Sequence, residues 1–162
     1  MDIVYLKTYE HYKKEGKGKR RSAFGPPVGL SEAEIIPLEQ TMNNGIPFPK
    51  AYREFLSIGG VFSSISLIDS GNNAGKLVAK YKQALQKRNV DISRPMAIMD
   101  TFEGQCGTFI YLDSGDNPQP WLFSIHEDYD SDAGEVIWAS PFKTLQDMIE
   151  QLVYLSENNL SI

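Results

Sequence analysis

Cysteine occurs once in the 162-residue chain, at Cys106. A single thiol excludes an intramolecular disulfide and a multi-thiolate metal site, and it suits a reducing compartment. Histidine is nearly as scarce. His11 and His126 are the only two, which leaves little for a zinc site or for nucleophile–base catalysis. No apolar run approaches the roughly 20 residues that span a bilayer. The opening MDIVYLKTYEHYKKEG lacks the apolar core and small-residue cleavage site of a secretory signal. These absences predict a cytoplasmic protein. Length and a hydrophobic share of 41% suit one globular domain with its own core, and exclude a disordered or collagen-like chain.

Positive charge is missing from a long part of the chain. Residues 95–142 contain no Lys or Arg but nine carboxylates, whereas residues 1–94 carry 15 basic and 9 acidic side chains. The overall charge of −5 hides this asymmetry. A 48-residue stretch of one sign attracts cations or a basic partner and repels nucleic acid.

The coarse organisation follows from periodicity and turn chemistry. Tyr5, Tyr9 and Tyr12 lie at i, i+4 and i+7, which predicts a helix from Asp2 to about Lys14. The glycine- and charge-rich EGKGKRR then reads as a loop. Its basic neighbourhood, Lys13, Lys14, Lys17, Lys19, Arg20 and Arg21, has phosphate-contacting chemistry. It has no interleaved aromatic for stacking, so a solvated loop is the better reading. Ser31 and Glu34 form a capping-box pattern ahead of the stripe Ile35, Leu38 and Met42. Pro37 deletes a hydrogen bond there and predicts a kink or a late start, and Asn43-Asn44-Gly45 supplies the stop. Pro49 opens a second helix with Tyr52, Phe55 and Leu56 on one face, and Gly59 offers a left-handed exit. Val61–Ile68 is β-branched and predicts a short strand, and Lys76–Arg88 predicts a helix.

Beyond this the pattern changes. Met96–Asp100, Thr108–Leu112, Trp121–Ile125 and Val136–Trp138 are short apolar or alternating runs separated by EGQCG, DSGDNPQ and HEDYDSDAGE, as in antiparallel neighbours. Ser140-Pro141 reads as N-cap and first turn of an amphipathic helix carrying Leu145, Met148, Ile149, Leu152 and Val153. The predicted fold class is α+β: N-terminal helices, an antiparallel meander and a C-terminal helix packed on the sheet. Residues 1–28 form an extension of helix and basic loop, and residues 29–162 the main domain.

Catalytic patterns are weak. Cys106 lies in a turn without the positive neighbours a reactive thiol needs. Asp128-Tyr-Asp130-Ser-Asp132-Ala-Gly134-Glu135 is similar to a calcium loop. However, Ala133 stands where glycine is required and Ala139 where the bidentate Glu belongs. Glycine-rich phosphate cradles are absent. A carboxylate pair within 113–135 remains an alternative for a small hydrolase, but acids on exposed turns lack the desolvation that makes a general acid. The expectation is a chain without catalytic residues, cofactor or metal.

Gly29-Leu-Ser-Glu-Ala-Glu-Ile-Ile-Pro-Leu-Glu39, followed by Ile46-Pro-Phe-Pro-Lys-Ala-Tyr-Arg-Glu-Phe-Leu-Ser-Ile-Gly-Gly60, resembles the opening of the SUKH superfamily. Its hallmarks are I-x-x-x-E, then L-P-x-x-[YF]-x-x-[FL]-L and N-G-G. Phe102–Asp113 resembles the family's glycine turn between central strands, and Glu135–Leu145 its last strand and closing helix. The likeness covers about residues 29–155. Ile58 stands where the family often has Asn, Pro37 interrupts the first family helix, and Thr108 stands where Asp or Asn is common. The superfamily includes fungal cell-wall-assembly regulators and bacterial immunity proteins. The resemblance implies a non-enzymatic immunity protein that neutralises a cognate toxin, basic and of nuclease or deaminase type, by direct binding. A regulatory or scaffold module is the alternative. The base-free segment agrees with a basic protein partner rather than nucleic acid or membrane. The candidate partner-binding residues are Asp113, Asp116, Glu127, Asp128, Tyr129, Asp130, Asp132 and Glu135. Trp121, Tyr129 and Trp138 are candidate aromatic anchors, with core packing the stronger reading for Trp138.

Overall fold

The computed structural model describes residues 2–67, 73–126 and 136–160. The chain begins with a helix whose start is set from outside. Val4, Tyr5 and Leu6 present unpaired N–H groups, and all three donate to the carboxylate of Glu54 at 2.8–2.9 Å. Helix α1 (Lys7–Glu15) therefore begins five residues later than the tyrosine spacing predicts. The stripe itself is buried: Tyr9 and Tyr12 are fully enclosed. Their hydroxyls donate to the carbonyls of Ser63 (2.6 Å) and Ser64 (3.2 Å). The expected loop after it contains a short helix, α2 (Lys19–Phe24), where Arg21 Nη2 bonds the Lys13 carbonyl at 2.9 Å.

Helices α3 (Glu32–Met42) and α4 (Lys50–Gly59) form the expected pair. The Ser31 N–H donates to Glu34 Oε2 at 2.8 Å, so α3 starts on time and runs through the exposed Pro37. Asn44 (φ 54°) and Gly45 (φ 78°) terminate it in left-handed geometry. Buried Glu39 accepts the Phe48 N–H at 2.8 Å and lies 2.8 Å from Arg53 Nε. One carboxylate thus fastens the link and α4 to the end of α3. Gly59 lies within α4 and, contrary to expectation, supplies space rather than a left-handed turn, since a Cβ there would collide with Tyr9 Oη.

Residues 61–67 are not a strand. Phe62 makes an isolated bridge with Val28, Ser64 turns to φ 56°, and buried Ser63 Oγ bonds the carbonyls of Ile65 and Leu67 at 2.7 and 3.0 Å. Serine hydroxyls bonding local backbone compete with an extended ladder, and the tyrosine hydroxyls of α1 take two of the carbonyls it would use.

Helix α5 (Ala74–Lys87) leads into a meander of β1 (Met96–Phe102), β2 (Cys106–Tyr111), β3 (Pro120–Ser124) and β4 (Ile137–Ala139), antiparallel in the order β1-β2-β3-β4. Helix α6 (Leu145–Glu157) closes the chain. It starts four residues beyond the expected Pro141, because Thr144 and Asp147 form the reciprocal box: Thr144 Oγ1 accepts from the Asp147 N–H and Asp147 Oδ2 from the Thr144 N–H, each at 3.1 Å. Ser140 Oγ instead accepts the Phe142 N–H at 3.2 Å.

The sheet separates two apolar clusters. One face carries Ala97, Met99, Ile110 and Leu112 against α1, α3, α4 and α6, and includes Leu6, Tyr9, Leu56 and Ile149. Segment 1–28 thus shares its core with the rest of the chain. The other face carries Met96, Ile98, Phe109 and Phe123 against Val78, Tyr81 and Leu85 of α5. This is the α+β arrangement predicted from sequence.

Glu54→Ala removes the acceptor of three backbone donors, Leu6 buried and Val4 and Tyr5 part-buried. It is expected to destabilise the fold by about 2–4 kcal/mol, a fall in melting temperature on the order of 10 °C. Calorimetry of the two proteins checks this, and a change under 1 kcal/mol would show that Glu54 does not hold α1.

Candidate functional site

Two of the predicted binding residues lie in the β2–β3 turn. Asp113 is engaged: Arg94 Nε and Nη2 reach its two carboxylate oxygens at 3.1 and 2.5 Å, Nη2 also reaches Ser114 Oγ at 2.8 Å, and the guanidinium lies 3.8 Å from the Tyr111 ring centroid. Hydrogen bonding from Arg94 holds the Asp113 carboxyl below the usual range, opposite to what a general acid needs. Asp116 is exposed, and its carbonyl accepts the Ala51 N–H at 2.9 Å, which ties the turn to the start of α4. Glu127, Asp128, Tyr129, Asp130, Asp132 and Glu135 lie outside the described residues.

Register shows how the two acidic segments are attached. The 113–119 turn leaves the end of the sheet where Ile110 pairs with Pro120. The 127–135 segment joins β3 to β4 at the other end, where the Ser124 N–H bonds the Val136 carbonyl at 3.0 Å and Cys106 pairs with Ser124. Five residues of β3 separate these ends, about 17 Å of strand. The fold therefore does not bring the two attachment points together.

A different set of residues converges at the second end. Between Ile98 and Asp100 the β1–β2 register shifts, pairing Ile98 with Phe109 but Asp100 with Thr108. A bulge of this kind reverses the facing of everything beyond it. Asp100 and Phe102 consequently share a face with Cys106, Thr108, Leu122, Ser124 and Trp138, through the pairs Phe102–Cys106, Thr108–Leu122, Cys106–Ser124 and Leu122–Trp138. This is the face that the four-helix layer covers at its other end. Here the seven residues, with Gly107 and Phe123, line an open cavity of about 250 Å³. Phe102 is 66% exposed, and Leu122 and Trp138 are half-buried. Glu103 and Gly104, both left-handed (φ 51° and 72°), make the tight turn at its rim. The sequence signal for this site was the alternation Asp100-x-Phe102. It was legible only once the bulge fixed its facing.

Cys106 Sγ bonds Ser124 Oγ at 3.5 Å on this face. His11 is exposed on α1, and the His126 carbonyl accepts from Arg88 Nη1 at 3.3 Å. Among the described residues no group of three His, Cys, Asp or Glu is placed to hold a metal, and no helix is long and apolar enough to cross a membrane. The basic N-terminal cluster is partly absorbed into structure. Lys13 Nζ bonds the Ile58 carbonyl at 3.0 Å, with burial lowering its pKa, and Lys14 pairs with Glu10 at 2.8 Å.

Arg94→Ala is expected to raise the Asp113 carboxyl toward the ordinary aspartate range, read by NMR pH titration. Because the folded value is depressed, the pair's stabilisation is present above the unfolded value and lost as pH falls through the folded one. Both partners are solvent-accessible, so the loss at pH 7 should stay below about 1 kcal/mol. An unmoved Asp113 titration would refute the pairing.

The chain was compared with family models, curated proteins and solved structures, and none of them matches it.

Proposed function

We propose that this protein acts by binding another protein, as an immunity-type protein that neutralises a basic cognate toxin in the cytoplasm by direct contact. The observation that carries the reading is the segregation of charge. No Lys or Arg occurs between residues 95 and 142, which provide the whole sheet and its turns. Arg94, just outside, neutralises Asp113. Glu103 and Asp116 are exposed and form no ion pair with any described residue. A surface of one sign accelerates encounter with an oppositely charged partner and disfavours wrong ones. The resemblance of residues 29–155 to SUKH immunity proteins supplies the class of partner. The partner-binding set is Asp113, Asp116, Glu127, Asp128, Tyr129, Asp130, Asp132 and Glu135. Within it Asp116 and the 127–135 segment are the stronger members, because Arg94 already engages Asp113.

The test is capture of the partner from the native cell with the tagged full chain, followed by co-expression. The captured protein should arrest growth when expressed alone, and co-expression should restore it. A harmless partner would favour a regulatory or scaffold module instead. With the partner in hand, reversing Asp128, Asp130 and Asp132 to Lys should slow association at least tenfold at 50 mM salt and flatten its salt dependence. Between 50 and 300 mM the Debye length falls from about 14 to about 6 Å. Wild-type association that does not change over this range would rule out electrostatic recognition.

A further inference from the structure

We infer that the apolar surface formed by Phe24, Val28 and Val61, beside the basic cluster of residues 13–21, is a docking surface for an anionic lipid bilayer. This surface lies outside the sheet, and the inference does not depend on the toxin reading. Phe24, Val28 and Val61 are 69%, 48% and 45% exposed. Backbone and ring contacts hold the three together. The Phe24 ring meets half-buried Phe62 edge to face, with centroids 6.3 Å apart. The N–H groups of Val61 and Phe62 both donate to the Val28 carbonyl, at 2.9 and 3.0 Å, and the Val28 N–H donates to the Phe62 carbonyl at 2.8 Å. Ser64 Oγ donates to the Gly25 carbonyl at 3.1 Å, which fastens the chain just beyond Phe24. The fold therefore imposes the exposure of these side chains, and apolar exposure grouped in this way marks an interaction surface.

Charge selects the occupant. Residues 13–21 carry six Lys or Arg against one Glu, and residues 22–30 and 56–68 carry no charge. Helix α2 (Lys19–Phe24) places three of the six bases on the short helix that ends in Phe24. Lys13, Lys14 and Arg21 also bond within the fold, and Lys17 is exposed. An anionic surface attracts this part of the chain and repels the base-free residues 95–142, so the charge asymmetry favours one orientation. Four of the six bases are lysines, a residue depleted from protein interfaces and drawn as a point charge to anionic headgroups. The apolar members beside Phe24 are valines. They offer a nucleic-acid base nothing to stack on, but they bury well at the boundary between headgroups and acyl chains. The apolar patch and the basic cluster are each a weak anchor alone, and together they supply the two signals that membrane anchoring takes.

The experiment is co-sedimentation of the full chain with vesicles of phosphatidylcholine alone and with vesicles containing about 30% phosphatidylglycerol. At about 50 mM salt the anionic vesicles should bind about tenfold more protein than the neutral ones, and by about 300 mM the difference should vanish. Phe24→Ser, at an exposed position, should weaken binding about fivefold, and Lys17→Glu should weaken it about tenfold. Circular dichroism of each variant should match the wild type. Phe24→Trp should retain binding. On anionic vesicles it should add a blue-shifted emission that the wild type, with Trp121 and Trp138 alone, does not show. Equal binding to both vesicles, binding to neither, or indifference to either weakening substitution would each overturn the proposal. So would tighter binding of oligouridylate or of polyglutamate than of the anionic vesicles, which would make the surface a site for nucleic acid or for an acidic protein.

Discussion

A carboxylate enclosed in the core decides how the first part of the chain sits on the rest. Glu54 is fully buried, and the three groups that satisfy it are the N–H donors of Val4, Tyr5 and Leu6 at the head of α1. Burying a carboxylate costs several kcal/mol unless it is well bonded, and the three N–H groups just ahead of α1 need an acceptor that the helix itself does not supply. Each deficit offsets the other. Once α1 is held there, Tyr9 and Tyr12 reach the carbonyls of Ser63 and Ser64. The segment 61–67 then takes its turn-rich course instead of forming a strand.

The sheet is the second organising element, and its two faces differ in how far they are covered. Helix α5 lies on the face of Met96, Ile98, Phe109 and Phe123. The four-helix layer lies on the opposite face, over Ala97, Met99, Ile110 and Leu112. The bulge in β1 turns Asp100 and Phe102 onto the second face, beyond the reach of that layer. A single extra residue in one strand thereby turns an aspartate and a phenylalanine that would have faced α5 into the lining of an open cavity.

Charge adds direction to this geometry. The base-free stretch supplies every described strand, and the register of the sheet places its described carboxylates at opposite ends. Asp113 is neutralised at one end. Asp100 and Glu103 stand at the other, beside an aromatic surface.

The sequence by itself determined the element types: the four strands, the helical pair with its Ser31–Glu34 start and Asn44–Gly45 stop, and the helix carrying Leu145 to Val153. These depend on local periodicity, capping and turn chemistry, which neighbouring residues encode. It also determined the charge asymmetry, which is a matter of composition. Tertiary structure alone decided where α1 begins, because the N–H groups just ahead of it are held by Glu54, 48 to 50 residues away. It decided that Val61–Leu67 is not a strand, because the tyrosine hydroxyls claim that backbone. It also decided which face Asp100 and Phe102 occupy, since a one-residue shift in pairing reverses the face of every side chain beyond it in the strand.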